Sequence, residues 1–158
     1  EGAHCEFTGV TFAGKGQYLD TGSKVVHNAP HTTSNINSKS ISKDGGVCIY
    51  RGSVVINECA EGSKSNVSCE SLMLDEQSQA DTIPAIVIKN DNVDLGHEAK
   101  IGRISDEAIF YLMSRGLSED EARAMLVRGF VDPVSKALPL EYAVEMNNLI
   151  NLELKGSM

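Results

Sequence analysis

The sequence has no tryptophan, and aromatic residues make up only 5% of its 158 positions. A hydrophobic core must therefore be built mainly from Val, Ile, Leu, Met and Ala. Positive charge is also scarce, since 14 Lys and Arg stand against 22 Asp and Glu and leave a net charge of −8. This balance argues against a nucleic-acid partner, which calls for a basic face. No apolar run is long enough to span a membrane, so we expect no membrane partner.

Several common catalytic motifs are absent from the sequence. There is no G-x-S-x-G nucleophile elbow and no dinucleotide-binding fingerprint. His97 and Glu98 lack the second histidine of an H-E-x-x-H zinc motif. A β-solenoid enzyme that acts on acidic polysaccharides would need a row of carboxylates along one face of its coils. The spacing of Asp81, Asp91 and Asp94 does not produce such a row. We therefore expect that the protein is not an enzyme.

The four cysteines are Cys5, Cys48, Cys59 and Cys69. They lie too far apart for a C-x-x-C metal motif. Their even number permits disulfides, but little else in the chain resembles a secreted protein, so reduced thiols in the cytoplasm are the better interpretation. The chain opens at Glu1 with a strand-like segment that has neither a cap nor a tail, which predicts a piece of a longer protein.

The first part of the chain, to about residue 89, has the pattern of short β-strands. Runs such as VCIY, SVVIN and PAIVIKN recur with turn clusters every ~8–12 residues, as in a sandwich, a barrel or a β-solenoid. The polar run from Thr32 to Ser42 favours the solenoid, because small hydrogen-bonding side chains stack in successive coils. Periodicity alone leaves this choice open. In VSCESLML both alternating faces carry apolar residues, so we expect the strand of Cys69 to be covered on both sides.

The last part of the chain has the pattern of capped amphipathic helices. Ser105 is a good N-cap residue, followed by acidic residues that suit the first turn. Ser118 and Glu121 form a capping box that opens a second helix. Gly116 and Gly129 are the predicted C-terminal ends of these two helices.

Proline residues mark two further helix starts. Asp132 and Pro133 are predicted to open a short helical turn, and Pro139 opens the last helix, which ends near Lys155. The change from strand to helix falls upstream, beside the His97-Glu98 pair. We therefore predict a β-segment over residues 1–97 and a helical lobe over residues 98–158.

A small set of soft ligands remains as candidates for chemistry, namely Cys69, His97, Glu98, His27 and His31. Thiolate and imidazole suit iron, zinc and copper, and a carboxylate can complete an iron site. A thiolate can also accept or pass on sulfur. The structural alternatives stand beside these roles: a cysteine on an apolar strand face is usually a small buried hydrophobe, and the adjacent histidine and glutamate can form a cap or an interface hydrogen bond.

Two long runs of the sequence carry a family pattern. They are HNAPHTTSNINSKSISKDGGVCIYRGSVVI and SCESLMLDEQSQADTIPAIVIKNDNVDLGHEAKIGRISDEAIFYLMSRGLSEDEARAMLVRGFVDP. With these runs the chain resembles the C-terminal part of the SufB/SufD family of iron–sulfur cluster assembly proteins, over nearly its whole length from about Asp20. The resemblance implies a mainly β fold with C-terminal α-helices: the end of a right-handed parallel β-helix followed by a small helical lobe.

The resemblance also implies a function and partners. Family members are scaffold components of the SUF assembly complex, where a SufB-type chain pairs with SufD or with a second copy of itself through the β-helix. Each subunit docks the ABC-type ATPase SufC on its helical lobe. Sulfur comes from a cysteine desulfurase system, and a transient iron–sulfur cluster is built for transfer to other proteins. The alternative is a pure interaction module that docks the ATPase and dimerises without cluster chemistry.

Residue by residue, Cys69 matches the cysteine of the family's C-[DE]-S-[LM] strand, which is implicated in cluster assembly at the subunit interface and is typical of the SufB branch. His97 and Glu98 match the histidine and glutamate of the H-E-A motif, and Cys69 with Glu98 are the implied metal ligands. Some members carry an acidic residue where this chain has Gly96, so a third carboxylate is missing there. Cys5, Cys48 and Cys59 are interpreted as structural. The predicted ATPase-docking residues are Arg115, Glu119, Asp120, Glu121 and Arg128.

Overall fold

The computed structural model describes residues 1–155 and shows a β-solenoid of about three turns, followed by three helices. The chain alternates between two parallel sheets. The four-stranded sheet has the order β1-β3-β5-β7, and the three-stranded sheet has the order β2-β4-β6. The strands are β1 (His4–Ala13), β2 (Tyr18–His27), β3 (Thr33–Ser42), β4 (Val47–Ile56), β5 (Lys64–Met73), β6 (Gln79–Ile88) and β7 (Asp94–Arg103).

The polar run from Thr32 to Ser42 does stack between successive coils. The hydroxyl oxygens of Ser34 and Ser65, 31 residues apart in sequence, lie 2.8 Å from each other. Those of Ser40 and Ser71 lie 2.7 Å apart, also across 31 residues. Each hydroxyl can both donate and accept a hydrogen bond, so the buried hydroxyl groups of neighbouring coils find their hydrogen-bond partners in one another. The solenoid prediction is confirmed, and one coil corresponds to about this spacing.

Alternation along the strands separates an inner core from an outer one. The inner core lies between the two sheets, and its members include Ile36, Tyr50, Val54 and Val67. The outer core lies between the four-stranded sheet and the helices; among its members are Ile41, Leu74, Val127, Val131 and Ile150, with Leu72 packed against it. Strand β5 is thus covered on both faces, as expected.

The helices are α1 (Asp106–Met113), α2 (Glu119–Ala137) and α3 (Leu140–Lys155). Their predicted N-caps are confirmed: the Ser105 hydroxyl accepts a hydrogen bond from the Ala108 N–H, and Ser118 and Glu121 form both bonds of a capping box. Gly116 follows α1 with a φ of 99°, a backbone conformation that suits glycine. Within residues 1–155 no helix is both long and apolar enough to cross a membrane.

The predicted end of the second helix at Gly129 is wrong, as is a new turn of helix at Asp132-Pro133. Helix α2 runs through both positions to Ala137, with Pro133 inside it. Glycine and proline each disfavour a helix interior. Val127 and Val131 are fully buried on the same helix, and their packing against the solenoid outweighs the local preference.

The predicted change from strand to helix at residues 97 and 98 is also too early. Strand β7 continues through this point to Arg103 and pairs with β5 over its whole length. Nearly all of its side chains are exposed, so its sequence lacks the alternation of a half-buried strand. Its conformation is set by backbone pairing with a strand about thirty residues upstream, which the local sequence pattern does not reveal.

Candidate functional site

Cys69 lies in the middle of β5 and points into the solenoid. It is 2% exposed and belongs to the inner core. In the register of the sheet, Ser38 of β3 lies on one side of it and Ala99 of β7 on the other. Burial raises the pKa of the Cys69 thiol, so the neutral thiol is favoured while the coil is closed. A reactive thiolate at this position requires access from the β7 side, where the solenoid ends.

Tyr50 is a buried neighbour of Cys69 that the sequence reasoning missed. Its hydroxyl lies 2.6 Å from the Ser23 hydroxyl, inside the solenoid. Burial raises the pKa of Tyr50, and the proximity of Cys69 adds to that rise. The signal was present in the sequence, because Cys48, Tyr50 and Gly52 alternate along β4 and share its inner face.

His97 and Glu98 lie on β7, beside Val67 and Ser68 of β5. Because successive strand residues point to opposite faces, His97 is on the same side of the sheet as Cys69, and Glu98 is on the outer side. His97 is a diagonal neighbour of Cys69, with Cα atoms roughly 8 Å apart by strand geometry. Both His97 and Glu98 are exposed, since β7 is the last strand of its sheet.

Glu98 has a partner on the outer face. One of its carboxylate oxygens lies 2.9 Å from the ammonium nitrogen of Lys100. This hydrogen bond is the main cause of the raised pKa of Lys100, and the charge of Glu70 contributes further. Within residues 1–155 no group of three His, Cys, Asp or Glu side chains is arranged to hold a metal ion. A single chain therefore brings Cys69 and His97 to one face and leaves Glu98 on the other.

The two upstream histidines do not form a pair. His27 is 3% exposed, with its Nδ1 at 2.7 Å from the Thr32 hydroxyl and its Nε2 at 2.9 Å from the Ser34 hydroxyl. Burial lowers the pKa of His27, which favours the neutral ring. His31 is exposed in a turn with a φ of 57°. His27 is thus a member of a buried hydroxyl network.

All four cysteines are free thiols. Cys48 is as buried as Cys69, and its thiol donates a hydrogen bond to the carbonyl oxygen of Ile41. Burial raises the pKa of Cys48. Cys5 and Cys59 are exposed. Cys48 therefore offers a matched structural reference for Cys69.

The five predicted docking residues are all exposed on or beside α2. Four of them have partners within the chain. Arg115 bonds to the Tyr111 hydroxyl, Glu119 pairs with Arg123, Glu121 closes the capping box, and Arg128 donates to Asn151. Asp120 lines a groove of about 600 Å³ between α2 and α3, together with Glu121 and Arg128. The helical lobe also exposes large apolar side chains, including Phe110, Tyr111, Leu140, Tyr142 and Leu152.

Residues 1–130 match the family described as "SUF system FeS cluster assembly, SufBD core domain". Over all 158 residues the chain is 54% identical to a Staphylococcus saprophyticus protein named iron-sulfur cluster assembly SufBD family protein. Proteins of the same family name from Staphylococcus haemolyticus and Staphylococcus aureus are 54% and 53% identical over the same residues. The chain spans 34%, about a third, of each of these relatives. By this match over most of its length, the chain belongs to the SufBD core family of the SUF system for iron–sulfur cluster assembly.

Proposed function

We propose that this protein is a scaffold component of a SUF assembly complex, in which Cys69 accepts sulfur and contributes a ligand to a nascent iron–sulfur cluster. The observation that carries the proposal is the position of Cys69 in a chain of this family. The thiol lies inside the last complete part of the solenoid, with only the edge strand β7 between it and the open end. The cluster is the cargo of the complex, and the chain itself is not an enzyme.

Sulfur acceptance at Cys69 needs no external oxidant or reductant. The Cys69 thiolate attacks the outer sulfur of a persulfide on a cysteine desulfurase or a sulfur-transfer protein. The donor S–S bond breaks, the donor cysteine leaves as a thiolate, and Cys69 retains the sulfur as a persulfide. Burial of the thiol keeps it protonated and unreactive until the coil opens, and this supports a step that is controlled by access.

The remaining cluster ligands come from His97, Glu98 and a second chain. His97 is on the inner side of β7, where it faces the same direction as Cys69. Glu98 would join them as a ligand once β7 shifts or a partner strand brings other donors to the outer side. The open end of the solenoid, with exposed Ile86 and Ile88 on β6, is the surface we assign to pairing with SufD or a second SufB-type chain.

The helical lobe is the proposed docking site for the SufC ATPase. The groove between α2 and α3 is lined by Asp120, Glu121 and Arg128, and α1 exposes the aromatic side chains of Phe110 and Tyr111. A mixed apolar and charged surface of this kind is typical of transient protein interfaces. We assign the assembled complex to the cytoplasm.

Anaerobic reconstitution with iron and sulfide tests the cluster role. The full-length protein, with its partners, is reconstituted as wild type, Cys69→Ser and Cys48→Ser, and the sulfide-to-iron charge-transfer absorption is measured. The two variants remove equally buried thiols, so we expect them to lower the stability of the fold by similar amounts. Loss of the absorption in Cys69→Ser alone is the expected result. Equal absorption in wild type and Cys69→Ser would remove the cysteine from the proposal.

The second candidate function is a pure interaction module that docks the ATPase and dimerises. The observation that favours it is the extent of exposed apolar surface on the helices, where Phe110 is 74% and Leu140 is 76% exposed. In that case the Cys69→Ser variant keeps cluster assembly, whereas substitution of Asp120 weakens ATPase binding. The Cys69→Ser measurement separates the two functions, because the scaffold proposal also places the ATPase on the helical lobe.

A further inference from the structure

The hydroxyl group of Thr82 is buried without a hydrogen-bond partner. Thr82 lies on β6, in register with Tyr50 of β4, a member of the inner core. Its oxygen atom is shielded from solvent, and no group within residues 1–155 bonds to it. The hydroxyl of the neighbouring Tyr50 is engaged elsewhere, at 2.6 Å from that of Ser23. A buried hydroxyl without a partner destabilises the folded state, so its presence calls for a physical explanation.

Thr82 lies opposite Cys69 across the interior of the solenoid. A Cβ atom added to Gly52 of β4 would lie 3.8 Å from the Val67 side chain of β5, so these two residues face each other between the sheets. Because the chain turns back from one sheet to the other, two positions forward along β5 correspond to two positions back along β4 and β6. Cys69 therefore faces the row that Tyr50 and Thr82 share.

A sulfur atom added to the Cys69 thiol would extend toward this hydroxyl. The Thr82 hydroxyl does not bond to the thiol itself. Stacked sheets lie roughly 10 Å apart, and each of these short side chains spans only part of that distance. A persulfide lengthens the cysteine side chain by one S–S bond of about 2 Å. Its ionised outer sulfur is a hydrogen-bond acceptor, and a hydroxyl is a suitable donor to it; hydrogen bonds to a charged acceptor are the stronger kind.

We propose that the Thr82 hydroxyl donates a hydrogen bond to the outer sulfur of a persulfide on Cys69 and retains that sulfur inside the solenoid. Thr82 is then a sulfur-binding residue of the same site, and its hydroxyl has a partner when the sulfur is bound. The hydroxyl keeps its proton and forms no covalent bond, so the transfer step itself is unchanged. This inference rests on the function proposed for Cys69, because that thiol must first accept the sulfur.

The test measures how well Cys69 retains sulfur in variants of Thr82. The full-length protein, with its partners, is equilibrated with persulfide-loaded cysteine desulfurase and then alkylated in denaturant. Peptide-resolved mass spectrometry gives the ratio of persulfide to thiol at Cys69. Thr82→Val replaces the hydroxyl with a methyl group, and we expect this ratio to fall about tenfold, as for the loss of one hydrogen bond to a charged group. Thr82→Ser keeps the hydroxyl and is expected to keep the ratio near the wild-type value.

Ser42→Ala is the matched control. In the described part of the chain, the Ser42 hydroxyl is also buried without a partner. It lies four positions along β3 from Ser38, the register neighbour of Cys69, and so lies away from the sulfur. Removal of either unpartnered hydroxyl is expected to leave the melting temperature unchanged or slightly raised. Of these two variants, only Thr82→Val is expected to lower the persulfide ratio.

Three results would contradict the inference. A wild-type ratio in Thr82→Val, or an equal fall in Thr82→Val and Ser42→Ala, would overturn it and leave the function proposed for Cys69 intact. A clear fall in the melting temperature of Thr82→Val would also overturn it, because the hydroxyl would then be bonded within the fold. Wild-type protein without any persulfide at Cys69 would instead overturn the proposed sulfur acceptance, and this inference with it.

Discussion

The Nε2 atom of His27 lies 2.9 Å from the hydroxyl oxygen of Ser34, across the corner between β2 and β3. Ser34 in turn bonds to Ser65 of the next coil, so the imidazole is joined to the ladder of hydroxyls that connects the coils. A neutral ring can serve this network with one donor and one acceptor nitrogen. A protonated ring would place a buried positive charge there.

This relationship predicts acid sensitivity. The pKa of His27 is lower in the folded state than the ordinary histidine value of 6.5, because burial disfavours the charged ring. Below that value the unfolded state binds more protons, so the free energy of unfolding falls as the pH drops from about 7 until it passes the folded-state pKa. We expect His27→Gln, which keeps hydrogen-bonding capacity but does not titrate, to lose less stability than wild type between pH 7 and pH 5. Urea unfolding midpoints at several pH values measure this, and equal pH profiles would contradict it.

Thiol accessibility provides a second prediction. Cys5 and Cys59 are exposed, whereas Cys48 and Cys69 are 2% exposed and have raised pKa values. Two thiols are therefore expected to react rapidly with an aromatic disulfide reagent at pH 7.5, and two only slowly. Complete reaction of all four is expected in denaturant. Four rapid thiols in the native protein would mean that the solenoid interior is open to solvent.

Gly129 offers a stabilising substitution. It lies inside α2, and a Cβ added there meets no atom within 4 Å. We expect Gly129→Ala to raise the free energy of unfolding by about 0.5–1 kcal/mol, because alanine is the better helix former. Gly62→Ala is the contrasting variant: Gly62 has a φ of 67°, and a Cβ there would collide with the His31 ring. Urea denaturation should move the two variants in opposite directions.

Docking of the ATPase is best tested at Asp120. Charge reversal at Glu121 would also break the capping box, whereas Asp120 lies in the same groove and takes no part in that cap. We expect Asp120→Lys to weaken ATPase binding by about tenfold, a typical effect of charge at an interface rim. Because Asp120 lies in the first turn of α2, where the helix dipole favours negative charge, a small fall in melting temperature is expected as well. Isothermal titration calorimetry measures the affinity, and Glu58→Lys, which makes the same change of charge at an exposed turn of the solenoid, serves as the control. Equal weakening by both variants would point to net charge rather than to the groove.

The features that could be predicted from the sequence are those fixed by local chemistry. Ser105 and Ser118 cap helices because a hydroxyl at that position satisfies free N–H groups whatever the rest of the fold does. The serine run of β3 stacks on the serines of β5 because hydroxyl groups at register positions form hydrogen bonds with one another. The alternation around Cys69 likewise follows from strand geometry alone, and the predicted cover on both faces of its strand is observed.

What could not be predicted depends on partners far away in sequence. Strand β7 is a strand because β5 pairs with it, and α2 passes Gly129 and Pro133 because its valines are buried under the sheet. The faces of His97 and Glu98 follow from the same pairing. With β7 interpreted as the start of the helical lobe, the two side chains could not be assigned to opposite sides of one sheet. Lys39 and Glu70 were missed because their pairing spans one coil, although the 31-residue spacing of the serines was a usable signal.

The alternation of β5 also constrains how such a chain can change its length. Cys69 and Glu70 are consecutive, one in the interior and one on the outer face, where it pairs with Lys39. Deletion of a single residue within the strand would exchange the two environments, moving a carboxylate into the core and the thiol to the surface. Insertions of one or two residues are tolerable only in the turns between strands. The position of the cysteine in the two-residue alternation of the strand, and not residue identity alone, thus determines whether its thiol is buried or exposed.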